Sequence, residues 1–252
     1  MRRSFILLVV VGLFITGLFY RTNDVRSIIE KIDKAGPGLK GELVYRVNFL
    51  GFIPVGEAVF EPEESTDYRG VKALRLKAKA KTLDFFSRLF NSYVEAESYV
   101  DARSLNPLLF RQKLVINGKS REEKEVSYDQ DSGVMTMDGV RRQILADTQD
   151  PLSAIFNMRK MDFKEKKDFS LYINTNQKNY ILKGMVYPYY VSASKRGREV
   201  FLLKTQISRI DKNPYHKSRI SMIIIGENKN IPLLMKVFAS GALVHARLIK
   251  IR

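Results

Sequence analysis

From residue 41 onward, apolar side chains recur mostly at every second position, the period of a β-strand with one face toward a core and one toward water. Leu43, Tyr45, Val47 and Phe49 alternate with Glu42, Val44, Arg46 and Asn48, and Leu74, Leu76, Ala78 and Ala80 alternate with Arg75, Lys77, Lys79 and Lys81. Strand-like stretches also cover residues 57–61, 93–100, 108–117, 123–128, 134–137, 140–145, 169–174, 179–186, 190–194, 199–210, 220–225 and 232–251. Residues 51–56 read as a turn and 67–70 as a loop. Asn117 with Gly118, Asp138 with Gly139, and Ser240 with Gly241 supply residues that tolerate the positive φ of tight hairpins.

Three stretches change period. Val25, Ile28, Ile29 and Ile32 repeat at helical spacing until Gly36, Pro37 and Gly38 break the pattern. Leu83, Phe86, Leu89 and Phe90 share one side of a short aromatic helix, with Phe85 beside them. Between Asp150 and Arg159 lies the one core helix the pattern supports: Asp150 suits the N-cap and Pro151 the first helical position, where its missing N–H costs nothing. Leu152, Ile155 and Phe156 form its apolar face, with Ser153, Asn157 and Lys160 directed away. Strand-like sequence on both sides of this helix predicts a mainly β fold, a curved antiparallel sheet that is barrel-like or a sandwich, with the helix as a plug against both halves.

The amino terminus is of another kind. Arg2 and Arg3 precede sixteen uncharged residues, Phe5 to Tyr20, so residues 1–22 read as a signal anchor or signal peptide. Sixteen helical residues span roughly 24 Å, near the ~30 Å of a hydrocarbon core. Small residues in a cleavage pattern are missing, which favours an uncleaved single-pass anchor in a bacterial inner membrane through residues 5–20, with the body in the periplasm; cleavage would leave a soluble periplasmic protein. Residues 23–38 then form a juxtamembrane linker and 39–252 the β domain.

Composition narrows the chemistry. The chain has no cysteine, which excludes disulfides, thiol nucleophiles and cysteine-ligated zinc. A formal charge of +16 favours anionic partners, and at the expected location these are lipid or glycan rather than nucleic acid. His216 and His245 lack neighbours at metal-ligand spacing, Ser153 lacks a nucleophile-elbow motif, and adjacent acids such as Glu122 and Glu123 point to opposite faces of a strand. No catalytic residue, metal site or cofactor is therefore expected. The candidate ligand-binding residues are the basic stripe Arg75, Lys77, Lys79 and Lys81, the aromatic group Phe85, Phe86 and Phe90, and Tyr187, Tyr189 and Tyr190 around Pro188. A solvated sheet face, a helix packed on a sheet end and a strand kink are the respective structural readings of the same residues.

Residues 41–47 (Gly-Glu-Leu-Val-Tyr-Arg-Val), the Gly56-Glu-Ala strand start, residues 150–159 (Asp-Pro-Leu-Ser-Ala-Ile-Phe-Asn-Met-Arg) and residues 231–237 with 241–244 resemble an exported bacterial family known as domain of unknown function 3108. The resemblance covers about residues 39–252 and implies an exported, mainly β protein with no assigned activity. The expectation from the residues is a non-catalytic binder of an amphiphile, lipid or glycolipid, with 83–90 as a gate and the basic stripe meeting an anionic head. The alternative is an envelope scaffold that docks a protein or acidic glycan, which a side-chain-filled interior would favour.

Overall fold

The computed structural model describes residues 22–35, 41–87, 91–189, 199–210, 218–226, 230–239 and 242–252. The expected membrane segment 5–20, Phe90, the 190–194 strand with Tyr190, and His216 lie outside them. No helix among the described residues is long and apolar enough to cross a membrane.

Among the described residues three helices, α1 (Thr22–Ala35), α2 (Asp84–Ser87) and α3 (Pro151–Lys160), accompany fifteen strands. The first nine are β1 (Leu43–Phe49), β2 (Ile53–Phe60), β3 (Glu64–Tyr68), β4 (Val71–Thr82), β5 (Ser92–Asp101), β6 (Pro107–Ile116), β7 (Lys119–Asp129), β8 (Val134–Met137) and β9 (Val140–Gln143). After α3 come β10 (Asp168–Thr175), β11 (Lys178–Pro188), β12 (Glu199–Arg209), β13 (Ser218–Gly226), β14 (Ile231–Ala239) and β15 (Ala242–Ile251). All belong to one antiparallel sheet, ordered β10-β11-β12-β13-β14-β15-β1-β2-β4-β5-β6-β7-β8-β9, with β3 extending the β4 edge beyond β2. The chain thus meanders in two runs, joined where the last strand pairs with the first: Val47 lies opposite Ala246 and Phe49 opposite Val244.

The end strands β9 and β10 do not pair with each other. Gln149 bridges the gap instead, donating its N–H to Tyr172 O at 2.8 Å and accepting from Asn174 N at 2.8 Å. The sheet is therefore strongly curved but not closed by its strands.

α3 occupies the concave side. Leu152 and Phe156 cluster with Leu76, Val100, Phe110, Val126 and Met135 from one run. Ala154 and Met158 cluster with Phe201, Leu203, Met222 and Ile224 from the other. The sequence pattern gave the helix a single buried face, but Ser153 and Arg159 are buried too, because strands from both halves surround it.

α1 is part of this core rather than a linker beside it. Val25, Ile28, Ile29 and Ile32 are at most 4% exposed and cluster with Val200, Ile223, Ile225 and Leu233. Successive strand residues point to opposite faces, so one end of β12 and β13 is sandwiched, with Met222 and Ile224 toward α3 and Ile223 and Ile225 toward α1.

Local differences from the pattern have simple causes. The first turn is Leu50–Phe52, not 51–56, because Leu50 at φ 51 and Gly51 at φ 85 turn the chain within two residues. β3 has no apolar alternation and forms by pairing Glu64–Tyr68 with Val71–Arg75 on an exposed edge.

Candidate functional site

A cavity beside α3 would suit a carrier, so the fixing of this helix bears on function. At its start the Asp150 carboxylate accepts from Leu152 N at 2.7 Å, Ser153 N at 2.9 Å and Ser98 Oγ of β5 at 2.6 Å. Burial raises the Asp150 pKa, and these donors oppose the rise by stabilising the anion. At its end Arg159 O accepts from Asn230 N at 2.8 Å, and Asn230 Nδ2 donates to Met161 O at 2.6 Å. Ser98 comes from one run of strands and Asn230 from the loop before β14 in the other, so α3 is bolted to both halves.

Arg159 lies near that second bolt. It is 9% exposed, donates from Nε to Asn230 O at 3.3 Å and sits 5.0 Å from the centre of the Phe156 ring. Burial lowers its pKa, and it has no carboxylate in ion-pair distance among the described residues. Tyr45 is also fully buried, which raises its pKa, and its hydroxyl donates to Pro232 O at 2.9 Å.

The basic stripe of β4 lies on the convex side, opposite Leu74, Leu76 and Ala78. Register places Lys77 against Glu97 and Lys79 against Glu95 on β5, Glu97 against Arg111 and Glu95 against Lys113 on β6, and those two against Glu125 and Glu123 on β7. Columns of cations and anions thus alternate. Arg75 donates to Glu97, Lys79 contacts Glu61 at 2.6 Å, Arg111 contacts Glu125 and Lys113 contacts Glu123, both at 2.8 Å. The Glu97 hydrogen bond raises the Arg75 pKa and the Glu61 bond that of Lys79. Lys81 is exposed, across from Tyr93. A shallow hollow of about 520 Å³ over this face includes Arg75, Lys77, Glu95, Glu97 and Arg111 in its lining. The stripe is therefore one quarter of a mixed-charge face, each exposed pair of which contributes about 1 kcal/mol or less.

The other candidates do not join it. Phe85 on α2 is 81% exposed; the side chain of Phe86 is outside the described residues. Tyr187 is exposed with the Lys204 ammonium 5.1 Å from its ring centre, and Tyr189 is half-buried, its N–H bonded to Val200 O. His245 packs against Gly51, and its Nε2 is buried with no hydrogen bond. Burial and then the Lys236 charge push its pKa down to about 4. No cluster of three metal-ligating side chains occurs among the described residues.

Sequence reasoning missed the acidic columns and the two bolts. The acids had a signal: Glu95 with Glu97, Arg111 with Lys113 and Glu123 with Glu125 repeat the i, i+2 spacing with alternating sign on consecutive strands. Ser98 and Asn230 carry no local signal, because their partners lie 52 and 69 residues away.

Among proteins with curated descriptions, none is significantly similar to this chain. A solved structure with a similar fold is the crystal structure of a β-barrel-like protein of domain of unknown function DUF1849 from Brucella abortus. The TM-score is 0.59 at 12% identity, over 83% of this chain and 95% of that one, a likeness of fold alone. The sequence signature of the protein family of unknown function DUF3108 matches residues 44–241, most of the sheet and all of α3, and the chain belongs to that family.

Proposed function

We propose that this protein is a non-catalytic docking domain of the bacterial cell envelope, held on the periplasmic side of the inner membrane, that binds a protein or acidic glycan partner on its outer surface. The observation that carries this reading is the filled concave side. α3, fixed at Ser98 and at Asn230, occupies the space that an internal amphiphile would need. The one carboxylate buried among the described residues, Asp150, is fully buried and committed to capping α3, where it accepts from Leu152 N, Ser153 N and Ser98 Oγ. The hollow over β4–β7 offers fixed cations and anions in register, a pattern that selects a partner by charge complementarity more than by apolar area.

The amphiphile reading keeps one supporting observation. Arg159 is a buried cation without an ion-pair partner among the described residues, and an anionic headgroup reaching it would be neutralised there. Native mass spectrometry of the full chain, released from detergent micelles after incubation with envelope lipids, separates the two. A clean apo mass is the expected result. A stoichiometric lipid adduct that is lost on denaturation and in Arg159→Gln would overturn the docking reading.

A further inference from the structure

Where the two ends of the sheet come together without pairing, an open hollow of about 390 Å³ lies between Gln143, the last residue of β9, and the turn from β10 to β11. Its lining is of one kind. Arg142, Lys178 and Arg209 supply cations and no carboxylate joins them among the described residues, whereas the hollow over β4–β7 mixes its cations with Glu95, Glu97, Glu123 and Glu125. The other lining side chains, Gln143, Asn176, Gln177 and Asn179, are amides. Arg142 and Lys178 are exposed, and neither has an ion-pair partner among the described residues.

The amides are held in place from behind. Asn179 Nδ2 donates to Gln143 O at 2.9 Å, which ties β11 to the end of β9, and Asn179 Oδ1 accepts from Asn174 Nδ2 at 2.7 Å. Asn174 is 1% exposed, and its own Oδ1 is buried with no hydrogen bond. An orphan acceptor in a native fold calls for an explanation, and water or a hydroxyl carried in with a ligand supplies one. Asn176 Oδ1 accepts from Lys124 Nζ, which is paired in turn with Glu122 at 2.6 Å; this fixes a third amide and leaves its Nδ2 to donate. The side-chain amides of Gln143 and Gln177 make no hydrogen bond among the described residues. The turn is also strained: Asn176 at φ 50 and Gln177 at φ 57 are both left-handed, and the second position of such a turn usually goes to glycine. A glutamine kept there points to a use for its side chain.

We propose that this seam hollow binds an acidic saccharide, a sugar carrying an anionic group, with the anion on Arg142 and Lys178 and the neighbouring hydroxyls on the amides. An amide both donates and accepts hydrogen bonds, and so does each sugar hydroxyl, so four amides in one place match a polyol. Inorganic phosphate would use the donors alone. A lipid needs an apolar wall and a nucleic-acid strand needs aromatic faces to stack on, and the lining holds neither. The apolar side chains of a peptide would find no pocket for the same reason. The proposal goes beyond the docking reading and does not depend on it: this hollow has its own lining, linked to the β4–β7 face through Lys124, and takes its ligand whatever that face docks.

Isothermal titration calorimetry on the full chain in detergent micelles tests this, with trigalacturonate as the carboxylate probe and galactose-6-phosphate as the phosphate probe. The expected result is one-to-one binding of an acidic sugar, the tighter of the two naming the anion, with neutral maltotriose and inorganic phosphate at least about ten-fold weaker. Arg142→Ala combined with Lys178→Ala should weaken binding at least about ten-fold, whereas Arg111→Ala combined with Lys113→Ala on the β4–β7 face should leave it unchanged. Gln177→Gly is the sharper variant. Glycine suits the turn, so thermal stability should hold or rise, while binding falls at least about three-fold through the lost amide. Failure of both acidic probes to bind overturns the proposal, as does inorganic phosphate binding as tightly as the sugars, or Gln177→Gly binding like wild type. A loss that follows Arg111 and Lys113 instead would move the saccharide to the β4–β7 face, overturning this proposal and leaving the docking reading intact.

Discussion

The two runs of strands that share α3 solve the convex side in opposite ways. From β4 to β7 that side faces water, and its positions are filled by Arg75, Lys77, Glu95, Glu97, Arg111, Lys113, Glu123 and Glu125. At one end of β12 to β14 it is covered by α1, over Val200, Ile223, Ile225 and Leu234, whereas Lys204, Gln206 and Arg219 farther along the same side are exposed. The concave side is apolar in both. The difference teaches that strand alternation reports how many faces are covered: one covered face gives a period of two, whereas Met222-Ile-Ile-Ile225, continuous and fully buried, marks two. It also places a second apolar layer in one half and the exposed charge lattice in the other.

The largest way to break the contrast is to put a charge where α1 sits. Ile223→Asp buries an unpaired carboxylate between α1 and the sheet and is expected to cost about 4 kcal/mol or more, or to prevent folding, as read by urea denaturation. Asp150→Ala tests the bolt between the halves: it removes the cap and leaves the Ser98 hydroxyl buried and unpaired, for an expected loss of about 2–3 kcal/mol. A loss no larger than that of Asn157→Ala would refute the bolt.

A smaller effect comes from His245 on the convex side of β15. Its folded pKa, about 4, lies below the ordinary 6.5, so the unfolded chain takes up a proton in that window that the native state does not. Stability is therefore full above about pH 6.5 and is lost as pH falls toward 4, by about 1 kcal/mol once solvent screening at this half-exposed ring is allowed for. His245→Gln should flatten that part of the stability-against-pH curve. Smallest of all, Glu97→Gln on the charged face should cost under about 1 kcal/mol, and 1 M salt should erase the difference from wild type. A larger, salt-insensitive loss would mean that the ladder holds the fold rather than decorating it.

Much of this architecture was legible before any coordinates. Most strands, their hairpin punctuation, and the Asp150 cap with Pro151 at the first helical position all follow from local rules of period and backbone geometry. β3 was not legible, because an exposed edge strand needs no apolar side chains and takes its hydrogen bonds from β4. The depth of burial of Ser153 and Arg159 was hidden as well: a helical pattern shows the strongest apolar face, not how closely the two halves approach the polar one.

For the candidate site, sequence placed the four cations of β4 on one face but was silent on what lies across from them. Pairing register, set by hairpin turns and by which face is buried, brought Glu95, Glu97 and Glu61 to them and turned a basic stripe into a near-neutral lattice. By itself the sequence determined most of the elements, the cap of α3 and the two-sided character of most strands, because these depend on residues a few positions apart. The place of α3 as a plug against both halves was expected as well, whereas only the tertiary structure decided that α1 belongs to the core and which charges meet across the strands. Those outcomes rest on contacts between residues distant in the chain, which no local pattern encodes.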